Sequence, residues 1–529
     1  MNFIFIMTDQ LRPDHTGYGG NPIVQTPNLD KLAAQSRRFQ RAYCTNPICG
    51  PSRSSIFTGR MPSAHGNWVN MLGLDWHANT FVRVLRENGY RTALVGKSHL
   101  QEHVNRRELR RSGTKRPLDI PSPNQLRRFK RYPLSGEGDA VTQPWAQDWN
   151  SWEDVVRHRK QYVEMPADYY GFESVELVCS HDDTPEGHYR HWFVENGGDL
   201  ETMGGVANAV EVADSWQQVY CSNVPVELYP TSYITERALA SLDQFAAADA
   251  PFFLNVSYPD PHHPFCPPEP YYSLYGDADV PLPNTFYDPH QRSMPHQQQA
   301  IAARGEDVIG PFLVSPSEAQ YQAAARAEYG SITMLDAGIG RILARLDELG
   351  LSENTTIIFC SDHGDMFGDH GLMLKFGCHY DGTVRVPLLI KTPSMAGGDA
   401  NGLVSLMDIA PTILGLADCQ PYVGMQGIDL KPMLEDEMVT VRESVLIEED
   451  LPFDMLGVGQ NTNMRTLITR DARLTVYSGA KQGELFDWSV DPAELENLYN
   501  QTSHTILQSQ LMTQLVHMLV ENRPIERSP

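Results

Sequence analysis

Phe3-Ile4-Phe5-Ile6-Met7-Thr8-Asp9-Gln10 is the stretch on which the fold turns. Its unbroken apolar run suits a strand buried on both faces, as in a parallel sheet covered by helices, and it stops at a carboxylate. The carboxyl end of such a strand is where α/β proteins hold their ligands. Outward from this strand the same unit recurs. Thr26-Pro27-Asn28-Leu29-Asp30 opens a helix, with Pro27 suited to its first turn. Thr92 to Val95 is a strand candidate ending at Gly96-Lys97-Ser98-His99, Pro251 to Ser257 one ending near Pro261-His262-His263, and Thr355 to Cys360 one delivering Ser361-Asp362-His363-Gly364. Helices are expected over Ser52 to Thr58, Tyr233 to Phe245, Tyr321 to Leu349 (stopped by Gly350) and Ile409 to Leu416, with a further strand at Pro387 to Lys391. Strands alternating with helices define an α/β class.

Residues 101–230 break the pattern. They are rich in Arg, Pro, Trp and Asp and carry the basic runs Arg106-Arg107, Arg110-Arg111 and Arg127-Arg128-Phe129-Lys130-Arg131. We read them as an insertion over the sheet, a lid or an oligomer arm, with a plain solvated surface as the equal alternative, within a catalytic domain spanning 1–435. The remainder, 436–529, reads as a smaller α+β subdomain with strands at Val445-Leu446-Ile447 and Leu474-Thr475-Val476-Tyr477 in a small antiparallel sheet, and a final helix near Ile506 to Glu521.

The 42 Lys and Arg against 66 Asp and Glu leave a formal charge of −24. Such a surface excludes nucleic acid or an anionic membrane as the main partner, and an anion would need a locally built cationic site. The first apolar run is too short to span a membrane and has no basic leader or small-residue cleavage site, so a cytoplasmic location is expected. Eight cysteines in 529 residues, without paired spacing, indicate neither a disulfide framework nor a zinc site.

Asp9, Asp362 and His363 fall at strand ends far apart in sequence, and carboxylates with an imidazole suit a divalent ion. Singly, each chemical residue has a plain structural reading. A lone cysteine is usually a small buried hydrophobe and a lysine usually a surface group. The surroundings of Cys49 change this. Cys49-Gly50-Pro51-Ser52-Arg53, with Thr58-Gly59-Arg60 after it, resembles the sulfatase signature Cys-x-Pro-Ser-Arg with its downstream Thr-Gly-Arg. Met7-Thr8-Asp9-Gln10, Thr26 to Asp30, Gly96-Lys97-Ser98-His99-Leu100, Pro261-His262-His263-Pro264-Phe265 and Ser361-Asp362-His363-Gly364-Asp365 are similar to further motifs of that family, in the family's order. Lys375, Arg385 to Leu388, Asp408 to Thr412 and Asp491-Pro492 to Leu498 extend the resemblance along nearly the whole chain.

The resemblance implies an alkaline-phosphatase-like fold, a large mixed, mostly parallel sheet flanked by helices. It implies hydrolysis of a small anionic ester, a sulfate monoester, through a covalent sulfo-enzyme intermediate. The nucleophile would be formylglycine, made from Cys49 by a formylglycine-generating enzyme. Asp9, Asp362 and His363 would bind one divalent ion, with the modified Cys49 and Gln10 joining them. Arg53 would hold the hydrated aldehyde and Lys97 neutralise the sulfuryl oxygens. His99 would take the proton that expels sulfate. His262 and Lys375 would bind the ester and protonate the departing alcohol, and Asn70 would touch the sulfuryl group.

Two features depart from the commoner pattern. Asp9-Gln10 stands where many sulfatases have two aspartates, and His363 where several have asparagine. Both resemble choline sulfatases and phosphonate monoester hydrolases, and both soften the site, so Mn2+ competes with Ca2+. Phosphonate monoesters or phosphodiesters are therefore the nearest rival substrates, although Lys97 and His99 follow the sulfatase pattern. A non-catalytic anion-binding relative is the rival of another class, and the intact Cys49 to Arg53 run argues against it. A chain whose Cys49 stays a thiol would be inactive, and the arm-like insertion hints at a homo-oligomer.

Overall fold

β1 (Asn2–Thr8) is buried at all seven positions and lies inside a nine-stranded sheet. The computed structural model describes residues 1–70, 72–103, 149–307 and 312–525. The other main strands are β2 (Arg37–Tyr43), β3 (Arg91–Gly96), β4 (Ser174–Leu177), β5 (Phe252–Ser257), β6 (Thr355–Ser361), β7 (Leu388–Lys391) and β8 (Gly398–Ser405). Their spatial order is β8-β2-β7-β6-β1-β5-β3-β4, with the two-residue strand Arg385–Val386 pairing β2. The block from β6 to β4 is parallel throughout. β7 runs against both neighbours, which makes the sheet mixed but mostly parallel.

The two-residue period of a strand sends alternate side chains to opposite faces. Ile4, Ile6, Leu254 and Val256 join one core with α1 (Pro27–Ala34), α3 (Pro230–Ala246) and α4 (Glu318–Glu348). Phe3, Phe5, Met7 and Phe253 join the other, with α2 (Cys49–Thr58) and the helix Ile409–Leu416. Layers of helix, sheet and helix result, as expected for a sheet whose strands are apolar on both sides.

Four strands near the carboxyl end, β9 (Ser444–Leu451), β10 (Thr462–Thr469), β11 (Ala472–Tyr477) and β12 (Gly483–Asp487), form a separate antiparallel sheet in sequential order. Helix Thr505–Glu521 packs Leu511 and Leu515 against Leu467, Leu474 and Leu485 of that sheet.

The stretch expected to lie over the sheet also supplies part of it. Ser174–Leu177 pairs in parallel with β3 and forms the sheet's edge. The run Val175-Glu176-Leu177-Val178 is too short for periodicity to reveal. The three basic runs fall within 104–148 and lie outside the described residues. β2 is a second departure: Arg37, Arg38 and Arg41 mask a strand whose Phe39, Ala42 and Tyr43 are nevertheless buried. All eight cysteines are free and buried, and among the described residues no helix is long and apolar enough to cross a membrane.

Gly96 ends β3 where β3 and β5 come closest. Its φ is +104°, and a Cβ there would lie 1.9 Å from the Ser257 carbonyl oxygen. Only glycine fits, because both the backbone region and the space exclude a side chain. Gly96→Ala is expected to cost about 3 kcal/mol or more in chemical denaturation. A midpoint like that of the wild type would count against this close approach.

Candidate active site

Strand register assembles the site. Thr8 pairs with Ser361, so the next residues, Asp9 and Asp362, leave the sheet side by side, and the Asp362 N–H donates to the Thr8 carbonyl at 3.1 Å. Met7 pairs with Ser257 and Gly96 with Ser257, which sets Lys97 beside them; its N–H donates to the Ser257 carbonyl at 2.8 Å. Cys49 enters from α2. That helix begins at Cys49, three residues before the expected start, because Pro51 in the first turn removes an N–H that would have had no helical partner. The Gly50 N–H donates to Asn70 Oδ1 at 2.9 Å, which anchors Asn70 at the head of the helix. Arg53, one turn below Cys49, sits beneath it.

Asp9, Cys49, Asp362 and His363 each turn one ligand atom inward, all within 4.8 Å of one another. His363 Nε2 is 3.1 Å from Cys49 Sγ and 3.3 Å from Asp9 Oδ1, while its Nδ1–H donates to the Gly364 carbonyl at 2.8 Å. That second bond aims Nε2 at the carboxylates, the orientation of a metal-ligating imidazole. All four side chains are buried. Two adjacent buried carboxylates, a thiol and an oriented imidazole fit a divalent cation.

Cations surround this group. The Lys97 ammonium pairs with Asp9. Lys375 Nζ donates to Gln10 Oε1 at 3.1 Å, to Cys49 Sγ at 3.5 Å and to His262 Nε2 at 2.9 Å. Burial opposes ionisation of the Cys49 thiol, yet Lys375, Lys97 and His363 hold it well below the ordinary thiol range. Burial likewise opposes the Asp9 charge, and Lys97 with His262 outweighs it.

Arg53 reaches both carboxylates from beneath Cys49. Its Nε donates to Asp362 Oδ2 at 2.7 Å, Nη1 to the Lys97 carbonyl at 2.9 Å and to Ser257 Oγ at 2.7 Å, and Nη2 reaches Asp9 Oδ2 at 3.4 Å. The guanidinium is thus engaged chiefly in fastening the two carboxylates, because the register puts both within its fork. Gln10 lies on the lysine side: Asp365 Oδ2 accepts from its Nε2 at 2.8 Å, and its oxygen accepts from Lys375.

His99 sits in a tight turn with φ +56° and stacks on His103 at 4.2 Å between centroids. Burial first, then His103, pushes its imidazole down to about 3, so it is a neutral base. Its Nδ1 has no hydrogen-bond partner among the described residues. Two residues from the 101–230 stretch complete the site and were missed from sequence. Glu153, buried, accepts from the His99 N–H at 2.8 Å, the Gln101 N–H at 2.9 Å, His103 Nε2 at 3.2 Å and the Tyr169 hydroxyl. His181, four residues beyond β4, brings a ring nitrogen within 4.8 Å of Cys49 Sγ and of a His99 nitrogen. The only local signal for it is weak: the short run Val175 to Cys179 before Ser180-His181-Asp182 is interrupted by Glu176, unlike the unbroken run before Asp9.

The loop carrying Lys375 is held from both backbone sides at Gly377. Its N–H donates to Glu449 of β9 at 2.9 Å, and its carbonyl accepts from His296 Nε2 at 2.6 Å.

Glu153→Gln is expected to lower turnover about 10- to 100-fold, because one amide cannot accept both backbone N–H groups and the His99 turn slips. Acid stability should change too. Burial raises the Glu153 carboxyl, but His103 and Tyr169 hold it at about 2 instead of 4.5. A depressed carboxylate contributes stability fully present above 4.5 and lost as pH falls toward 2, here about 3 kcal/mol. The stability gap between wild type and E153Q should therefore shrink over that window in chemical denaturation; a constant gap would contradict it.

A mostly parallel sheet with this ligand group at its carboxyl edge is the architecture of the alkaline phosphatase superfamily. A family model described as sulfatase matches residues 1–419, and one described as N-sulphoglucosamine sulphohydrolase, C-terminal, matches residues 368–521. An arylsulfatase of Clostridium perfringens is 29% identical over 94% of this chain and 90% of its own. A choline-sulfatase of Rhizobium meliloti is 26% identical over 94% and 82%. The solved phosphonate monoester hydrolase of Silicibacter pomeroyi superposes with TM-score 0.74 at 22% identity, over 99% and 96% of the two chains. The chain belongs to the sulfatase family and is a sulfuric ester hydrolase.

Proposed function

We propose that the chain hydrolyses sulfate monoesters at position 49 with one bound divalent ion and formylglycine in place of the cysteine. The observation that carries this is the convergence on Cys49 Sγ of the ligand group, Lys375 and two neutral-capable imidazoles, His99 and His262. Asp9, Asp362, His363 and residue 49 would hold the ion, Mn2+ or Ca2+, which would supply charge stabilisation at the sulfuryl oxygens. Formylglycine, hydrated, would supply one hydroxyl for attack and a second whose proton loss releases sulfate.

The remaining work belongs to side chains present in the chain. Lys97 and Lys375 offset charge on the sulfuryl group, and in a buried site such fixed cations are usually the largest catalytic term. Lys375 and His262, 2.9 Å apart, stand where the departing alcohol can receive a proton. His99 accepts the proton whose loss frees sulfate; positioned acids and bases of this kind contribute about 10²- to 10⁴-fold. Asn70 keeps its amide nitrogen for a sulfuryl oxygen while its Oδ1 accepts from Gly50. Arg53 positions the carboxylates.

The arylsulfatase and choline-sulfatase relatives support sulfate esters, whereas Asp9-Gln10 and His363 favour phosphonate monoesters or phosphodiesters as the second reading. The test is a comparison of an aryl sulfate with an aryl phosphonate monoester, on protein whose intact mass shows the loss expected for formylglycine. Higher kcat/KM on the sulfate is expected. A large preference for the phosphonate would overturn the first reading, and an unmodified chain with full turnover would overturn the nucleophile.

A further inference from the structure

We propose that His181 touches the alcohol portion of the bound ester and sets which alcohols the site accepts. This rests on the hydrolase reading above. The ring lies over the site from the side of the edge strand, 4.3 Å from His262 and 5.8 Å from His99 between centroids, with a nitrogen in reach of Cys49.

Its exposure assigns the contact. Asp9, Cys49, Lys97, His262, His363 and Lys375 are buried, whereas His181 and Asn70 are partly exposed. The sulfuryl group belongs among the buried cations, so the rest of the ester must extend outward past the partly exposed pair. Asn70 is tied to the head of α2 through Gly50. His181 instead lies against His262 at 4.3 Å between centroids, its ring tilted by 39°, and His262 is the group placed to protonate the alcohol oxygen, so the alcohol leaves along the His181 face.

The turn is built to hold that ring still. On one side the Val178 N–H donates to the Gly96 carbonyl at 3.1 Å, continuing the sheet. On the other, the Asp183 carboxylate accepts from the Gly205 N–H at 2.8 Å, the Tyr220 hydroxyl at 2.8 Å and Ser222 Oγ at 2.5 Å. His181 is thus suspended between two anchors five residues apart in number, on a segment too short to wander. A rigid imidazole offers an aromatic face and an N–H donor, both of which discriminate among alcohols.

The test uses the metal-loaded, formylglycine-bearing enzyme with 4-nitrophenyl sulfate and octyl sulfate, which share the sulfuryl group and differ in the alcohol. His181→Ala should raise KM for the better ester about 10-fold and change the ratio of kcat/KM between the two esters about 5-fold or more. Competitive inhibition by inorganic sulfate, which carries no alcohol, should change less than about 2-fold. His181→Asn, which keeps an N–H donor, should recover part of the loss, and it carries the same comparison if thermal melting shows that the alanine variant does not fold. An unchanged ratio overturns the proposal. So does sulfate inhibition that weakens in step with KM, which would put the ring on the sulfuryl group. A wild type inactive on both esters sinks the hydrolase reading and this contact with it, whereas an active wild type with an indifferent His181→Ala sinks the contact alone.

Discussion

Cys49→Ala is expected to lose aryl sulfate hydrolysis by roughly 10⁴-fold or more while still binding its metal ion and folding normally. The alanine leaves Lys97, Lys375 and the Asp9–Asp362–His363 ligands in place, so the cationic cradle persists. What it removes is the proposed nucleophile, and charge stabilisation without attack leaves a sulfate ester nearly as inert as in water. The side chain is small and buried at the head of α2, so the melting temperature should stay close to that of the wild type. Steady-state assays with metal analysis of the same sample check the prediction, and near-normal turnover by the variant would remove Cys49 from its assigned role.

Stripping the ion with a chelator is expected to reduce turnover by about 10³-fold or more and to lower stability as well. Asp9 and Asp362 are fully buried beside each other, and Arg53 serves both. An ion held by both carboxylates binds the folded chain and not the unfolded one, in which the ligands are scattered along the sequence. Stability gained from a bound ion scales with the logarithm of its concentration over Kd. Melting curves should therefore shift upward on titrating Mn2+ or Ca2+ back, in parallel with recovered activity. Activity that survives in protein with negligible measured metal would refute the role.

Much of this was legible in the sequence, for physical reasons that differ between residues. Asp9 and the Asp362-His363 pair were visible because each terminates an apolar run, and the carboxyl ends of buried parallel strands are where α/β proteins hold their ligands. Cys49, Lys97 and Lys375 were legible through motif spacing. Arg53 was recognised as a site residue, but its engagement with both carboxylates depends on the pairing of Thr8 with Ser361, which links residues 353 positions apart in number and leaves no local trace. Glu153 and His181 were hidden for another reason. They come from a stretch without helical or strand periodicity, where function rests on tertiary anchoring such as the three donors to Asp183. β2 escaped because its arginines find partners, Glu437 among them, that only the folded chain supplies.

The two bonds at Gly377 make the chemistry inseparable from the carboxyl-terminal sheet. Glu449 lies on β9, more than seventy residues beyond the lysine whose loop it steadies. Asp9, Cys49, Asp362 and His363 all precede Ser444, yet the aim of the Lys375 ammonium depends on a residue beyond it. Exchanging this sheet for that of a relative is therefore expected to change the rate through the aim of Lys375 while the residues proposed to meet the ester stay as they are.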